Sequence, residues 1–219
     1  MGQHRVHVWD VPVRLFHWLL VAAVAFSWWS AEEGGVMLKY HMWSGYGIFG
    51  LVLFRLGWGF AGSSYARFAS FVHGPRRVLG TLGELFSARP LAWAGHNPLG
   101  GWMVLALLAV LAVQVATGLF ANDDLFNEGP LYARVGKDAS DWLTGAHHVN
   151  FSVLMVLAGV HVLAIVWHRL RKGEHLVRAM FTGRKQLPHA AEPLVRVSVW
   201  RVFVLATASA AIVAAIVNL

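Results

Sequence analysis

Histidines in apolar surroundings are the residues of this chain whose type and spacing could do chemistry. His147 and His148 open the stretch HHVNFSVLMVLAGVH and His161 closes it; apart from Asn150 and Ser152, the residues between are apolar or glycine. On an α-helix, fourteen residues return to within about 40° of the same direction, so His147 and His161 share a face and lie roughly 21 Å apart. His148 points to nearly the opposite face from His161. Two same-face histidines this far apart can each bind a different metal ion.

Each of these histidines then needs a partner from another helix. His17 lies about one turn inside the first apolar run, and His41 begins the second. With the orientation derived below, the depths match in pairs, His41 with His147 and His17 with His161. Two neutral imidazoles from facing helices are how a helical bundle holds a b-type haem without covalent attachment. We therefore expect two haem b groups, with His41 and His147 binding the periplasmic-side iron and His17 and His161 the cytoplasmic-side iron.

The neighbours of these histidines suit a flat cofactor with carboxylate groups. Gly45 lies four residues after His41, on the same helix face, where the absence of a side chain lets a porphyrin approach the backbone. Arg14 lies one turn from His17, and Arg55 lies fourteen residues after His41. Both arginines are candidates to bind the propionates of the cytoplasmic-side haem, although arginines near helix ends also serve as interfacial anchors.

Composition indicates a membrane protein. The 219 residues are 57% hydrophobic and only 13% charged, and the mean hydropathy is +0.54. The absence of cysteine excludes disulfides, iron–sulfur clusters and covalent haem attachment. Apolar runs of transmembrane length predict an all-α membrane protein, a four-helix transmembrane bundle plus a fifth C-terminal transmembrane helix. The five runs are Val13–Ser30, His41–Phe60, Leu99–Ala121, His147–Trp167 and Val202–Leu219.

Charges between the runs predict the orientation. The links 31–40 and 122–146 contain seven acids, whereas fifteen of the 18 lysines and arginines lie elsewhere. By the positive-inside rule the N-terminus is cytoplasmic, the two acidic links face outward, and five spans put the C-terminus outside. The net charge of +7 is thus an orientation signal, and we expect contact with membrane lipid and no nucleic-acid binding.

Several segments resemble the bacterial cytochrome b561 family, in the branch that includes the cytochrome b subunit of nickel–iron hydrogenase. They are VWDVPVRLFHWLL (8–20), HMWSGYG (41–47), HNPLGGWMVL (96–105), HHVNFSVLMVLAGVH (147–161) and EHLVRAMFTGRK (174–185). The resemblance implies a four-helix bundle with two b haems, ligated by His17, His41, His147 and His161, in the bacterial inner membrane. It also implies a di-haem domain at 1–185, leaving 186–219 as a cytoplasmic linker and an additional helix.

One departure concerns the ligand register. The family often has an acidic residue after the first ligand of the fourth span, where this chain has His148. The haem ligand could therefore be His148 in place of His147, although the helix face favours His147. The fifth run lies outside the resemblance, and it could pack on the bundle or anchor a partner.

The resemblance implies an electron-transfer protein of a respiratory chain. Members of the family pass electrons between membrane quinone and a partner protein, here a periplasmic c-type cytochrome or redox enzyme. The acidic link 122–146 is a candidate dock for a basic partner, through Asp123, Asp124, Asp138 and Asp141. His148 or His168 could exchange protons with a quinone.

Alternative functions remain open from the sequence. Some proteins similar to this family oxidise superoxide and reduce quinone, which would make the chain an enzyme. A transporter whose histidines bind metal ions or carry protons would contain no haem. A purely structural membrane anchor would tolerate alanine at all four histidines.

Overall fold

The computed structural model describes residues 4–85, 93–188 and 190–219, and most of them are helical. The described part contains seven α-helices and two short strands. The helices are α1 (Val11–Glu33), α2 (Met37–Ala61), α3 (Pro75–Leu85), α4 (Pro98–Gly118), α5 (Lys137–Lys172), α6 (Leu176–Thr182) and α7 (Val199–Val217), and the strands are β1 (His4–His7) and β2 (Arg184–Leu187).

Four of the described helices, α1, α4, α5 and α7, are long and apolar enough to cross a membrane. The chain is therefore a multi-pass membrane protein in composition and helix length. The predicted second run forms α2, a helix of 25 residues that is not among those four. Its glycines, tryptophans and polar residues, His41 and Arg55 among them, lower its mean hydropathy. Its crossing of the membrane stays a prediction.

Helix α5 is longer than the run that predicts it. It covers 36 residues, whereas the apolar run covers only His147–Trp167. Residues 137–146, expected in a link, are thus helical. Asp138 lies in the first turn, and the last turn contains Arg169, Arg171 and Lys172. The helix dipole stabilises negative charge at the first turn and positive charge at the last. These polar ends extend the helix beyond the roughly 20 residues that a bilayer requires.

Two compact units share these helices. The strand unit comprises the residues up to Leu15, Gly57–Ala106 and Leu157–Val202. The bundle unit comprises Phe16–Leu56, Leu107–Val156 and Phe203–Leu219. The predicted division of the chain at residue 185 stays a prediction.

The bundle unit has a four-helix core. Ile48 and Val52 of α2, Leu111 of α4 and Leu154 of α5 are buried together, and apolar side chains of α1 such as Val24 pack against them. Helix α7 also lies against this bundle, because a Cβ atom added to Gly50 would come within 3.8 Å of the Val213 side chain. In this unit α7, which the fifth apolar run forms, thus packs on α2.

The strand unit contains a feature that an all-α expectation misses. Strands β1 and β2 pair antiparallel, with His4 opposite Leu187 and His7 opposite Arg184. The pairing continues where the Gly183 carbonyl accepts hydrogen bonds from the backbone N–H groups of residues 8 and 9, at 2.8 and 3.1 Å. Gly183 has φ 75°, a conformation that glycine adopts without strain and that turns the chain from α6 into β2.

Asp10 fixes the start of α1. Its Oδ1 atom accepts a hydrogen bond from the Val13 backbone N–H at 2.8 Å, which is the contact an N-cap side chain makes. Its Oδ2 atom accepts one from the Trp58 indole N–H at 3.0 Å, and both side chains are buried. Pro12 lies in the first turn, where its missing N–H is not needed. The residues VWDVP therefore set where the first helix begins.

Candidate functional site

The rings of His41 and His147 face each other inside the bundle unit. Their centroids are 6.1 Å apart and their planes are nearly perpendicular, at 82°. His41 lies in the second turn of α2 and His147 in the third turn of α5. His148 is exposed, with its ring centroid 6.3 Å from that of His147. The structure thus brings His147, and not its neighbour, against His41.

Both imidazoles are held by backbone carbonyls. The Nδ1 atom of His41 lies 2.8 Å from the Ser27 carbonyl oxygen, and that of His147 lies 3.0 Å from the Gln114 carbonyl oxygen. A carbonyl oxygen only accepts, so each Nδ1 carries the hydrogen and each Nε2 keeps its lone pair. An imidazole anchored in this way is oriented to bind a metal through Nε2.

Hydroxyl groups lie beside the same Nδ1 atoms. Ser27 Oγ lies 3.1 Å from His41 Nδ1, and Thr117 Oγ1 lies 3.2 Å from His147 Nδ1. The Thr117 hydroxyl also donates to the Val113 carbonyl one turn earlier, at 2.8 Å. These hydroxyl residues do not follow from the histidine spacing; a polar residue within an apolar helix is the sequence signal that points to them.

A pair of amide side chains supports the carbonyl that holds His147. Asn150 Nδ2 donates to Gln114 Oε1 at 2.6 Å and to the Val110 carbonyl at 3.0 Å. Asn150 lies one turn after His147 on α5, so the contact ties α5 to α4 next to the ligand position. Inside a membrane protein such amide pairs satisfy groups that lipid cannot.

The two histidines line a cavity of about 650 Å³ in the bundle unit. Most of its wall is apolar and includes Ile48, Leu111 and Phe151. Gly45 is in the wall, and a Cβ atom added there would meet nothing within 4 Å. Gly118 has a different role. A Cβ atom there would lie only 2.9 Å from the His147 ring, so no larger residue fits at this position without a shift of the ring. One glycine therefore keeps the cavity open, and the other lets α4 approach the imidazole.

The distance between the rings fits a haem iron. Imidazole nitrogens bind first-row metals at roughly 2 Å, so two rings on opposite sides of one metal have centroids roughly 6 Å apart. The observed separation is 6.1 Å. Two imidazoles leave the remaining coordination positions for a macrocycle, and within the described residues no group of three or more His, Cys, Asp or Glu side chains could hold a metal ion.

The other predicted pair is divided between the two units. His17 is in the bundle unit, with its ring edge-on to Trp18 at 4.9 Å between centroids, and His161 is in the strand unit. Both are half-buried. Their pairing on one iron stays a prediction.

The two arginines expected to bind propionates are placed as follows. The Arg14 guanidinium donates to the Phe181 carbonyl, at the end of α6, and its Nε is buried with no hydrogen-bond partner. Arg55 is buried, with 3% of its surface exposed. Guanidinium groups pair well with carboxylates, and the role of both arginines toward haem stays a prediction.

His168 lies in a buried cluster of ionisable side chains. Its Nδ1 lies 3.5 Å from a Glu174 carboxylate oxygen, and Lys185 Nζ lies 3.1 Å from the same oxygen. Burial raises the pKa of the Glu174 carboxyl, but the neighbouring His168 imidazole and the Lys185 charge outweigh it and leave that pKa below its usual range. Lys185 also donates to the Trp93 carbonyl at 3.0 Å. His168 is therefore part of an ion-pair cluster in the strand unit.

Comparisons with known proteins identify the family of this chain. The model of the prokaryotic cytochrome b561 family matches residues 8–183. The chain is 24% identical to a protein of Bradyrhizobium diazoefficiens named "Probable Ni/Fe-hydrogenase B-type cytochrome subunit", over 85% of this chain and 88% of that protein. No solved structure matches. The chain belongs to the prokaryotic cytochrome b561 family, and it is a multi-pass membrane b-type cytochrome of electron transfer.

Proposed function

We propose that this protein is a di-haem b-type cytochrome that passes electrons between membrane quinone and a periplasmic redox partner. The observation that carries the proposal is the facing pair His41 and His147, each held at Nδ1 by a carbonyl and each lining one apolar cavity. That arrangement supports bis-His ligation of a haem, and the family supports its use in electron transfer.

The chain contributes ligation, orientation and exclusion of water. A bound haem b supplies reversible one-electron chemistry. His41 and His147 would both bind the haem iron, which would leave it no open position for oxygen or substrate. Hydrogen bonds from Nδ1 to the Ser27 and Gln114 carbonyls make each imidazole a stronger donor and fix its ring orientation. The apolar wall keeps the site at low dielectric, which tunes its potential.

A second haem would use His17 and His161. Helix α5 continues without a break through His147 and His161, so their fourteen-residue separation corresponds to roughly 21 Å along the helix. Two haems at these depths would form an electron path across a bilayer. Arg14 and Arg55 would then neutralise the propionates of the second haem.

The charge distribution supports an orientation with the N-terminus in the cytoplasm. Seven of the eleven acidic residues lie in the links 31–40 and 122–146, which we place on the periplasmic side of the inner membrane. With α2 as a span, the C-terminus after α7 is also periplasmic. His41 and His147 would then hold the periplasmic-side haem.

The relative from Bradyrhizobium suggests the class of partner. It is named as a subunit of a nickel–iron hydrogenase, a redox enzyme. We infer that this chain likewise serves a periplasmic redox enzyme or c-type cytochrome and exchanges the electrons with membrane quinone in a respiratory chain.

Haem quantification with single histidine variants tests the proposal. The purified protein should show a low-spin b-type spectrum on dithionite reduction, with two haems per chain. His41→Ala and His147→Ala should each leave one haem, as should His17→Ala and His161→Ala. His148→Ala is the matched control and should keep two. Two haems retained in His41→Ala would refute the ligand assignment.

A further inference from the structure

The chain that leaves α4 doubles back on itself as a short hairpin. The Gly129 N–H donates to the Ala121 carbonyl at 2.7 Å, and the Leu131 N–H donates to the Leu119 carbonyl at 2.9 Å. A bridge between Asn122 and Glu128 continues this antiparallel arrangement. The hairpin therefore has a defined tip at residues 124–126.

Asp123 holds the tip in one conformation. Its Oδ1 atom accepts hydrogen bonds from the backbone N–H groups of Leu125, Phe126 and Asn127, each at 2.9 Å. Its Oδ2 atom accepts one from the Asn127 side chain at 2.6 Å. The Asn127 side-chain bond, together with the backbone bonds, lowers the pKa of Asp123 to about 2. The carboxylate therefore stays charged and keeps the turn closed at neutral pH.

This ordered tip presents apolar side chains to its surroundings. Leu125 is 76% exposed and Phe126 is 93% exposed. A loop tip normally has polar residues, so an aromatic residue fixed in this position indicates a surface that another molecule covers. Because the backbone is already ordered, little conformational freedom is lost when the tip is buried.

Acidic groups surround the tip. Asp124 and Asp141 both contact Lys137 at 2.5 Å, so this lysine partly neutralises them. Glu128 and Asp138 are exposed. Residues 122–141 contain five acids against Arg134 and Lys137, and the surface around the apolar tip is therefore net negative.

The tip is adjacent to the histidine cavity. Asn122, Asp123 and Asn127 line the same cavity as His41 and His147, all within the bundle unit. A molecule that covers Phe126 is thus at the rim of the site that would hold the periplasmic-side haem.

Resting on the proposed function, we infer that Leu125 and Phe126 form the apolar anchor on which a soluble, basic redox protein docks to exchange electrons at this site. The partner would offer an apolar depression surrounded by Lys or Arg side chains. The net negative rim favours such a protein over anionic lipid, which it would repel. Redox encounters use small interfaces, in which a single aromatic anchor carries much of the affinity.

The test measures electron exchange with a basic mitochondrial-type cytochrome c. The full chain with its haems is placed in nanodiscs, reduced, and mixed with the oxidised probe at low ionic strength. Phe126→Ser and Leu125→Ser should slow the second-order exchange roughly 10- to 100-fold, which corresponds to the loss of one buried apolar side chain. Phe126→Leu should retain most of the rate. Leu170→Ser is the matched control, since Leu170 is 77% exposed at the other end of α5, and it should exchange at the wild-type rate.

Separate readings distinguish this inference from the proposed function. The haem content and reduced spectrum of Phe126→Ser should equal those of the wild type, because the side chain faces away from the protein. Equal exchange rates in wild type and Phe126→Ser, or no exchange of the wild type with the basic probe, would overturn the docking surface while leaving the haem assignment intact. Absence of haem from the wild type would instead overturn the proposed function.

A fluorophore at position 126 separates protein docking from lipid contact. The chain has no cysteine, so Phe126→Cys provides a single labelling position. Brominated lipid in the nanodisc should leave the label unquenched, whereas addition of the basic cytochrome should change its emission. Strong quenching by the lipid would show that the tip inserts into the membrane and would overturn the inference.

Discussion

Gly45 offers a direct test that the histidine cavity holds a flat cofactor. We expect Gly45→Leu to weaken binding of the haem held by His41 and His147, because the new side chain would extend into the cavity that Gly45 lines. A Cβ atom at this position meets nothing within 4 Å, so the leucine would meet no protein atom where it begins. The protein should fold, and only its haem binding should be weakened.

The structure sets the size of this effect. A leucine side chain fills roughly 100 Å³, if each carbon group takes about the volume of a water molecule in the liquid. The cavity holds about 650 Å³. Overpacking of a filled site costs about 1–3 kcal/mol of free energy, which corresponds to a roughly 5- to 150-fold lower affinity for the haem.

Gly47 provides the matched control on the same helix. It is exposed, it does not line the cavity, and a Cβ atom there also meets nothing within 4 Å. Both substitutions replace a helical glycine, so both should gain about 1 kcal/mol of helix stability. Haem per chain, the reduced spectrum and thermal unfolding are measured for both variants. If Gly45→Leu kept the haem content and spectrum of Gly47→Leu, no cofactor would lie beside Gly45 and the assignment of the cavity would fail.

Other contacts make predictions of their own. Asp10→Ala removes the cap of α1 and leaves the buried Trp58 indole N–H without its acceptor, so the free energy of unfolding should fall by about 2–4 kcal/mol, measured in detergent with Asp10→Asn as the milder variant. An unchanged melting temperature would contradict that role. Glu174→Gln leaves Lys185 as an uncompensated charge, and we expect a loss of about 3–5 kcal/mol that a second change, Lys185→Met, largely restores; a double variant no more stable than the single one would refute the ion-pair account. Asp123 has a lowered pKa of about 2, so its contribution is fully present above its unfolded pKa near 4 and is lost as the pH falls through 2. Hydrogen exchange of the amides at 125–127, corrected for intrinsic rates, should therefore show constant protection from pH 7 to pH 4, and an early loss near pH 5 would argue against the carboxylate as their acceptor.

Much of the helical architecture could be predicted because its signals are local. A long apolar run predicts a helix over the same residues, and the 3.6-residue period places His147 and His148 on different helix faces. The structure places His147, and not His148, beside His41. Helix ends were less predictable, since α5 begins ten residues before its apolar run, in a polar segment that reads as a link.

Contacts between distant residues were not visible in the sequence. The acceptors for the histidine Nδ1 atoms are the carbonyls of residues 27 and 114, and a backbone carbonyl has no sequence signature. Strands β1 and β2 have four residues each, too few for an alternating pattern to show. Asp123 reads as one acid of an exposed charged surface, whereas its carboxylate bonds to its own turn.

The pairing of β1 with β2 also affects the order in which the chain can fold. His4 pairs with Leu187, so the first strand is synthesised about 180 residues before its partner exists. At translation rates of roughly 5–20 residues per second, β1 must wait about ten to forty seconds while α1 to α6 are made. The sheet closes a loop that contains these six helices, and α7 lies outside this loop. The pairing of His4 with Leu187 can therefore form only after all six helices of the loop have been made.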